Sequence, residues 1–213
     1  MFKSKAALAA IVPLILVACS TPNGELTATG VTATRTACPT VALPAATNDI
    51  TLFNPENSRD ASAIDVVASI TNVRSTCDET GNMIVTRVSF EVQGQRRDTR
   101  GAREVVLPYY AAVVQGGTAV VSKSLSRVGL RFADGQARAS SAAAATAQVS
   151  HSAAALPEEV RRQITRERKA GDADAAIDPM ADPAVREAVR RATFEVLLGF
   201  QLSQDQLVYN ATR

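Results

Sequence analysis

The side chains able to do chemistry are few and poorly grouped. His151 is the single histidine among 213 residues, and it sits in an Ala- and Ser-rich stretch with no carboxylate close by in the sequence. A Ser-His-Asp set would have to be assembled by long-range geometry alone, so an exposed or structurally satisfied histidine is the expectation. No Ser stands three residues before any of the four Lys, which excludes a Ser-x-x-Lys acyl-transfer motif. The sequence also lacks GxSxG, HExxH and a phosphate-cradling glycine loop. Asp172, Asp174 and Asp178 have a spacing that can hold calcium, but an EF-hand loop starting at Asp172 needs Gly sixth and Glu twelfth, where Ile177 and Pro183 stand. These acids are expected to form a solvated connection. The residues thus predict no catalytic site, no cofactor and no metal centre.

One charged cluster invites a contact. Arg96, Arg97, Arg100 and Arg103 surround Asp98-Thr99 and Gly101 in a stretch read as a loop between strands. Several guanidinium forks at one end of a sheet can meet phosphate or carboxylate groups, so the cluster is an expected anion or partner contact, with a solvated turn as the alternative. The chain as a whole is not basic: 23 Lys plus Arg face 21 Asp plus Glu. That balance excludes a broadly basic nucleic-acid binder. With 46% apolar and 21% charged residues, the composition is that of a globular domain with appended elements.

The three cysteines divide into two roles. Lys3 and Lys5 precede an apolar run from Ala6 to Val17, and no acid occurs before Glu25. A run of this length is too short to cross a bilayer core of about 30 Å, and its layout is that of an export signal. It ends in Leu16-Val17-Ala18-Cys19, which resembles the lipobox of bacterial lipoproteins. That resemblance implies diacylglyceryl transfer to the Cys19 thiol, cleavage after Ala18 and acylation of the new amino terminus. Two or three acyl chains hold a protein stably where one binds only marginally. Ser20 rather than Asp follows Cys19, which by analogy favours the outer over the inner membrane, facing the periplasm. Cys38 and Cys77 are then an even pair in an oxidising compartment, and a disulfide between them is expected. Two buried thiols or a metal pair are the alternatives.

The elements follow from pattern. Residues 1–18 read as signal peptide and 19–37 as a lipidated flexible tether, whose end-to-end distance would be about 23 Å. Residues 38–155 read as an antiparallel β-domain. Asp49–Phe53, Ile64–Cys77, Met83–Gln93, Glu104–Gln115 and Thr118–Phe132 are strand-like, and in the third of these Ile84, Val88, Phe90 and Val92 share one face. Gly116-Gly117 and Asp134-Gly135 read as hairpin turns, giving a meander of consecutive antiparallel hairpins. Gln136–Ala155, rich in Ala and Ser, fits either a strand or a linker. Residues 156–213 read as a helical segment packed on the β-domain: one helix from Pro157 to Lys169, and a second from Asp182-Pro183 whose stripe Val185, Val189, Ala192, Val196 runs on through Leu197 and Phe200.

The expected fold class is mainly β with C-terminal helices: an antiparallel β-sandwich, for which an immunoglobulin-like architecture is one form, followed by two amphipathic helices, with a half-open barrel or a single curved sheet under a helix as the alternatives. The expected function is that of a membrane-anchored envelope lipoprotein, non-catalytic, acting as a structural or protein-interaction module for an envelope protein partner. A carrier of lipid or a small ligand is the alternative, and an envelope hydrolase a more distant one.

Overall fold

The computed structural model describes residues 36–166, 171–172 and 176–212, together with the backbone of two short strands nearer the N-terminus. The chain divides into two units, residues 1–35 and 36–213. In the first, β1 (Leu26–Thr27) and β2 (Gly30–Val31) pair antiparallel, Leu26 opposite Val31. The signal peptide, the Cys19 lipobox and most of the tether lie outside the described residues.

The second unit holds two four-stranded sheets. One has the order β3 (Thr40–Ala42), β10 (Phe194–Phe200), β7 (Arg103–Gln115), β8 (Ala119–Phe132). The other has the order β4 (Asp49–Phe53), β5 (Ile64–Asp78), β6 (Met83–Arg96), β9 (Arg138–Ser150). All pairings are antiparallel except β3 with β10, which is parallel. Among the described residues four α-helices follow β9 or flank β10: α1 (His151–Ala154), α2 (Glu158–Thr165), α3 (Pro183–Arg191) and α4 (Gln204–Thr212).

The period-2 alternation of β6 decides which face is core. Ile84, Thr86, Val88, Phe90, Val92, Gly94 and Arg96 are buried while the residues between them are exposed or half-buried. Val105, Leu107, Tyr109, Ala111 and Val113 of β7 answer from the other sheet, and Phe194, Val196, Leu198 and Phe200 of β10 complete the same core. Tyr109 ties the two sheets together. Its ring meets Phe90 edge to face at 5.1 Å, and its hydroxyl donates to the carbonyl of Ala144 in β9 at 2.8 Å.

Cys38 and Cys77 form the expected disulfide, with Cα atoms 6.1 Å apart and a sequence separation of 39. In the loop-entropy account, closing a loop of this size stabilises by about 4 kcal/mol. The bridge fastens the segment leading into β3 to the far end of β5.

Two expectations are corrected, and one left open is decided. First, the meander breaks at Asp134-Gly135: Gly135 does take positive φ, at 75°, but β8 and β9 then enter different sheets, β8 pairing with β7 and β9 with β6. Second, the last expected helix ends at Arg191, and Phe194–Phe200 is a strand between β3 and β7. The C-terminal segment therefore contributes to a sheet as well as packing helices on it. Of the two readings of the Ala/Ser-rich stretch the strand holds: it is β9 over most of its length, its small side chains alternating between half-buried and exposed until Ala147 and Val149, which are buried.

The start of α3 matches its sequence signals. Asp182 accepts a hydrogen bond from the Ala184 N–H at 2.8 Å, Pro183 fills the first turn, and Val185 and Ala188 are buried. Helix α4 lies along β4: Tyr209 meets Phe53 edge to face at 5.0 Å, and the Asn210 side chain donates to the carbonyls of Ala46 and Asp49.

Candidate functional site

The four clustered arginines are occupied within the molecule. Arg96 is the last inward residue of β6 and only 2% exposed. Its Nε donates to Gln136 O at 2.8 Å, Nη1 to Gly101 O at 2.9 Å, and Nη2 to Thr99 O at 2.8 Å and Ala133 O at 2.7 Å. The guanidinium also stands 5.3 Å over the Phe132 ring. Arg96 thus ties the β6–β7 loop to the β8–β9 loop, and burial removes it from the expected contact surface. Arg97 donates to the carbonyls of Ala61 and Ser62. Arg103 grips Asp65 with two bonds of 2.8 and 2.6 Å, which raises its own pKa.

Arg100 faces Asp98 at 2.8 to 3.2 Å through Nε and Nη2. The Arg100 side chain, and then the Arg100 backbone N–H, hold the Asp98 carboxyl far below the usual carboxylate range. Each of the four guanidinium groups therefore has internal acceptors, and the stretch is a braced turn more than an open anion site.

Two other groupings close without chemistry. Cys38, Cys77 and Glu79 have ligand atoms within 4.8 Å of one another, but the two sulfurs are bonded to each other and offer no thiolate. Glu79 Oε1 accepts from Thr36 Oγ1 at 2.7 Å and touches Cys38 Sγ, which carries no proton to donate. His151 opens α1 in an exposed position, and its backbone N–H donates to Asn82 O at 3.0 Å. Among the acids, Asp178 caps the short turn at Pro179–Ala181 by accepting from the Met180 N–H at 2.9 Å.

The structure instead brings forward a strand edge. Strand β8 lies at the margin of its sheet. Its C-terminal part buries Val128, Leu130 and Phe132, whereas every residue from Ala119 to Arg127 is exposed. Val120, Val121 and Leu125 are 62%, 51% and 65% exposed. Continuing the phase of Val128 places Ser126, Ser124 and Ser122 on the inward side, with Lys123, Leu125 and Arg127 on the outward side. Lys123 Nζ stands 4.7 Å over the Tyr110 ring, and neither Lys123 nor Arg127 has a carboxylate partner among the described residues.

A second surface is a half-open groove of about 760 Å³ on the outer face of the β4-β5-β6-β9 sheet. Ladder register arranges its floor in rungs: Val67, Gln95 and Arg138 side by side, then Ser69, Gln93 and Ser140. Arg131 at the end of β8 and Gln136 in the β8–β9 loop stand along one flank. Arg131 Nε makes one bond of 3.3 Å to Glu104 Oε2.

Sequence reading missed both surfaces. The alternation of Ser with Lys, Leu and Arg along β8 was visible, but edge position was not. The groove joins three strands through register, which only pairing reveals.

No protein-family model, no curated protein and no solved structure matches the chain.

Proposed function

We propose that the chain is a non-catalytic envelope lipoprotein, anchored through lipid on Cys19, that holds a partner protein by adding a strand to the free half of β8. The observation that carries this reading is the exposure of Ala119–Arg127 on both faces at a sheet edge. An unpaired edge presents a row of backbone N–H and C=O groups, and soluble proteins normally blunt such edges. Nine residues of strand offer about 30 Å for main-chain pairing. Val121 and Leu125 supply apolar side-chain contact of the kind that gives strand addition its selectivity.

Charge selects the partner. Lys123 and Arg127 flank Leu125 on the outward face. An antiparallel second copy centred on Leu125 would set Lys123 against Arg127, which is destabilising. A strand carrying Asp or Glu at alternate positions suits the edge better. The lipobox resemblance supplies the location: a lipid-held protein facing the periplasm, with the outer membrane favoured. We read the two sheets as the layers of a sandwich, immunoglobulin-like at the level of its two-layer architecture; the shared core and the Tyr109 bridge support this.

Photo-crosslinking in intact cells tests the reading. A photoreactive residue at Leu125 is expected to give a discrete adduct with an envelope protein in the membrane fraction, absent when the same group replaces Arg100. The Cys19→Ala variant is expected to leave that fraction. Equal labelling from both positions, or none, would overturn the assignment of β8.

A further inference from the structure

The groove on the outer face of the β4-β5-β6-β9 sheet is a separate feature and does not rest on the strand-addition reading. From its lining we infer that it is a binding site for an acidic carbohydrate, a sugar chain bearing carboxylate or phosphate.

Three observations carry the inference. Charge in the groove has one sign: Arg131 and Arg138 line it, and no carboxylate is among its described lining residues. These guanidinium groups also differ from the four clustered arginines in availability. Arg138 has no ion-pair partner among the described residues, and Arg131 commits only Nε, leaving its terminal nitrogens for a ligand. A guanidinium fork matches the geometry of carboxylate and phosphate oxygens.

The neutral lining is the second observation. Gln93, Gln95 and Gln136 contribute amides, and Ser69 and Ser140 hydroxyls. None of these five side chains has a hydrogen-bond partner among the described residues. Amides and hydroxyls both donate and accept, which is the pairing that a sugar hydroxyl requires.

Shape is the third. Consecutive outward rungs stand about 7 Å apart and neighbouring strands about 4.8 Å apart, so the polar groups form a shallow lattice instead of converging on one point. A volume of about 760 Å³ suits a short oligosaccharide. The alternatives fit less well. Only Val67, Ala68 and Ala139 are aliphatic, too little for an acyl chain, and no aromatic platform is present among the lining residues to stack a nucleobase.

Calorimetric titration of the purified full-length chain with trigalacturonate, phosphorylated maltotriose and neutral maltotriose tests the site. At least one charged trisaccharide is expected to bind, with maltotriose at least tenfold weaker. Binding of the uronate arm assigns carboxylate, and binding of the phosphorylated arm assigns phosphate, as the recognised group. Arg138→Gln is expected to weaken binding at least tenfold, while Arg100→Gln, outside the groove, leaves it unchanged. Failure of both charged sugars to bind, equal binding of charged and neutral sugars, or unchanged binding by Arg138→Gln would overturn the inference. Leu125→Lys keeps sugar binding, so failure of the β8 reading and failure of this one are told apart.

Discussion

The two halves of strand β8 turn different side chains inward, Ser122, Ser124 and Ser126 in one and Val128, Leu130 and Phe132 in the other, and they have opposite fates. From Val128 to Phe132 the inward residues are buried, and a Cβ added to Gly94 across the core would run into Leu130. From Ala119 to Arg127 the same backbone continues its ladder with β7 through Ser122, yet no described residue covers the inward serines. The neighbour on the far side changes as well. Near the β8–β9 loop the second sheet supplies Gly94 and Arg96, whose guanidinium reaches the Ala133 and Gln136 carbonyls. Beyond Val128 the β8 strand runs past the shared core. The hydrophobic contribution of a strand depends on what lies opposite it, so an exposed half is held mainly by main-chain pairing and is available to a partner.

The largest break in this comparison is at the closed half. Arg96→Ala removes the donors to four carbonyls and opens a cavity beside Phe132. A loss of about 4 kcal/mol is expected in urea denaturation, because partly buried acceptors are left without partners. A loss below about 1 kcal/mol would mean that water replaces the guanidinium and that the two loops do not depend on it.

Gly94→Ala probes the same corner with the opposite error. The new methyl would collide with Leu130 Cδ1 and stand 3.3 Å from Phe132 Cζ, both side chains being fully enclosed. Overpacking of this kind costs about 2 kcal/mol. Thermal unfolding of this variant beside wild type measures it, and an unchanged midpoint would show that the corner can relax.

The sequence carried much of the pairing chemistry and little of the partner choice. Alternation in β6, the Gly116-Gly117 turn with both φ values positive, the Asp182 cap and the Cys38–Cys77 bridge were all legible, because each rests on local geometry or on an even count of cysteines. Strand β10 was misread for a physical reason. Val185, Val189, Ala192 and Val196 keep a helical spacing across Thr193, while Phe194, Val196, Leu198 and Phe200 keep a strand spacing over the last part. Val196 belongs to both patterns, and only the sheet partners β3 and β7 decide between them. Arg96 is a subtler case. It shares the inward phase of Val88, Phe90 and Val92, but reading β6 as ending at Gln93 placed it in a loop and hid that phase. The two free surfaces depend on edge position and register, which are properties of the assembled sheets.

The smallest expected effect tests the open half directly. Leu125 is 65% exposed, on a strand edge with no covering element among the described residues. Replacing it by Lys removes a side chain that already meets water, so stability should change by less than about 0.5 kcal/mol. The same substitution adds a cation between Lys123 and Arg127, and salt dependence separates the terms. A loss that vanishes at high salt reports repulsion along the outward face, which strengthens the case for an acidic partner strand. A loss above about 2 kcal/mol that persists at high salt would instead mean that Leu125 is buried by part of the protein itself, and the contrast between the two halves of β8 would collapse.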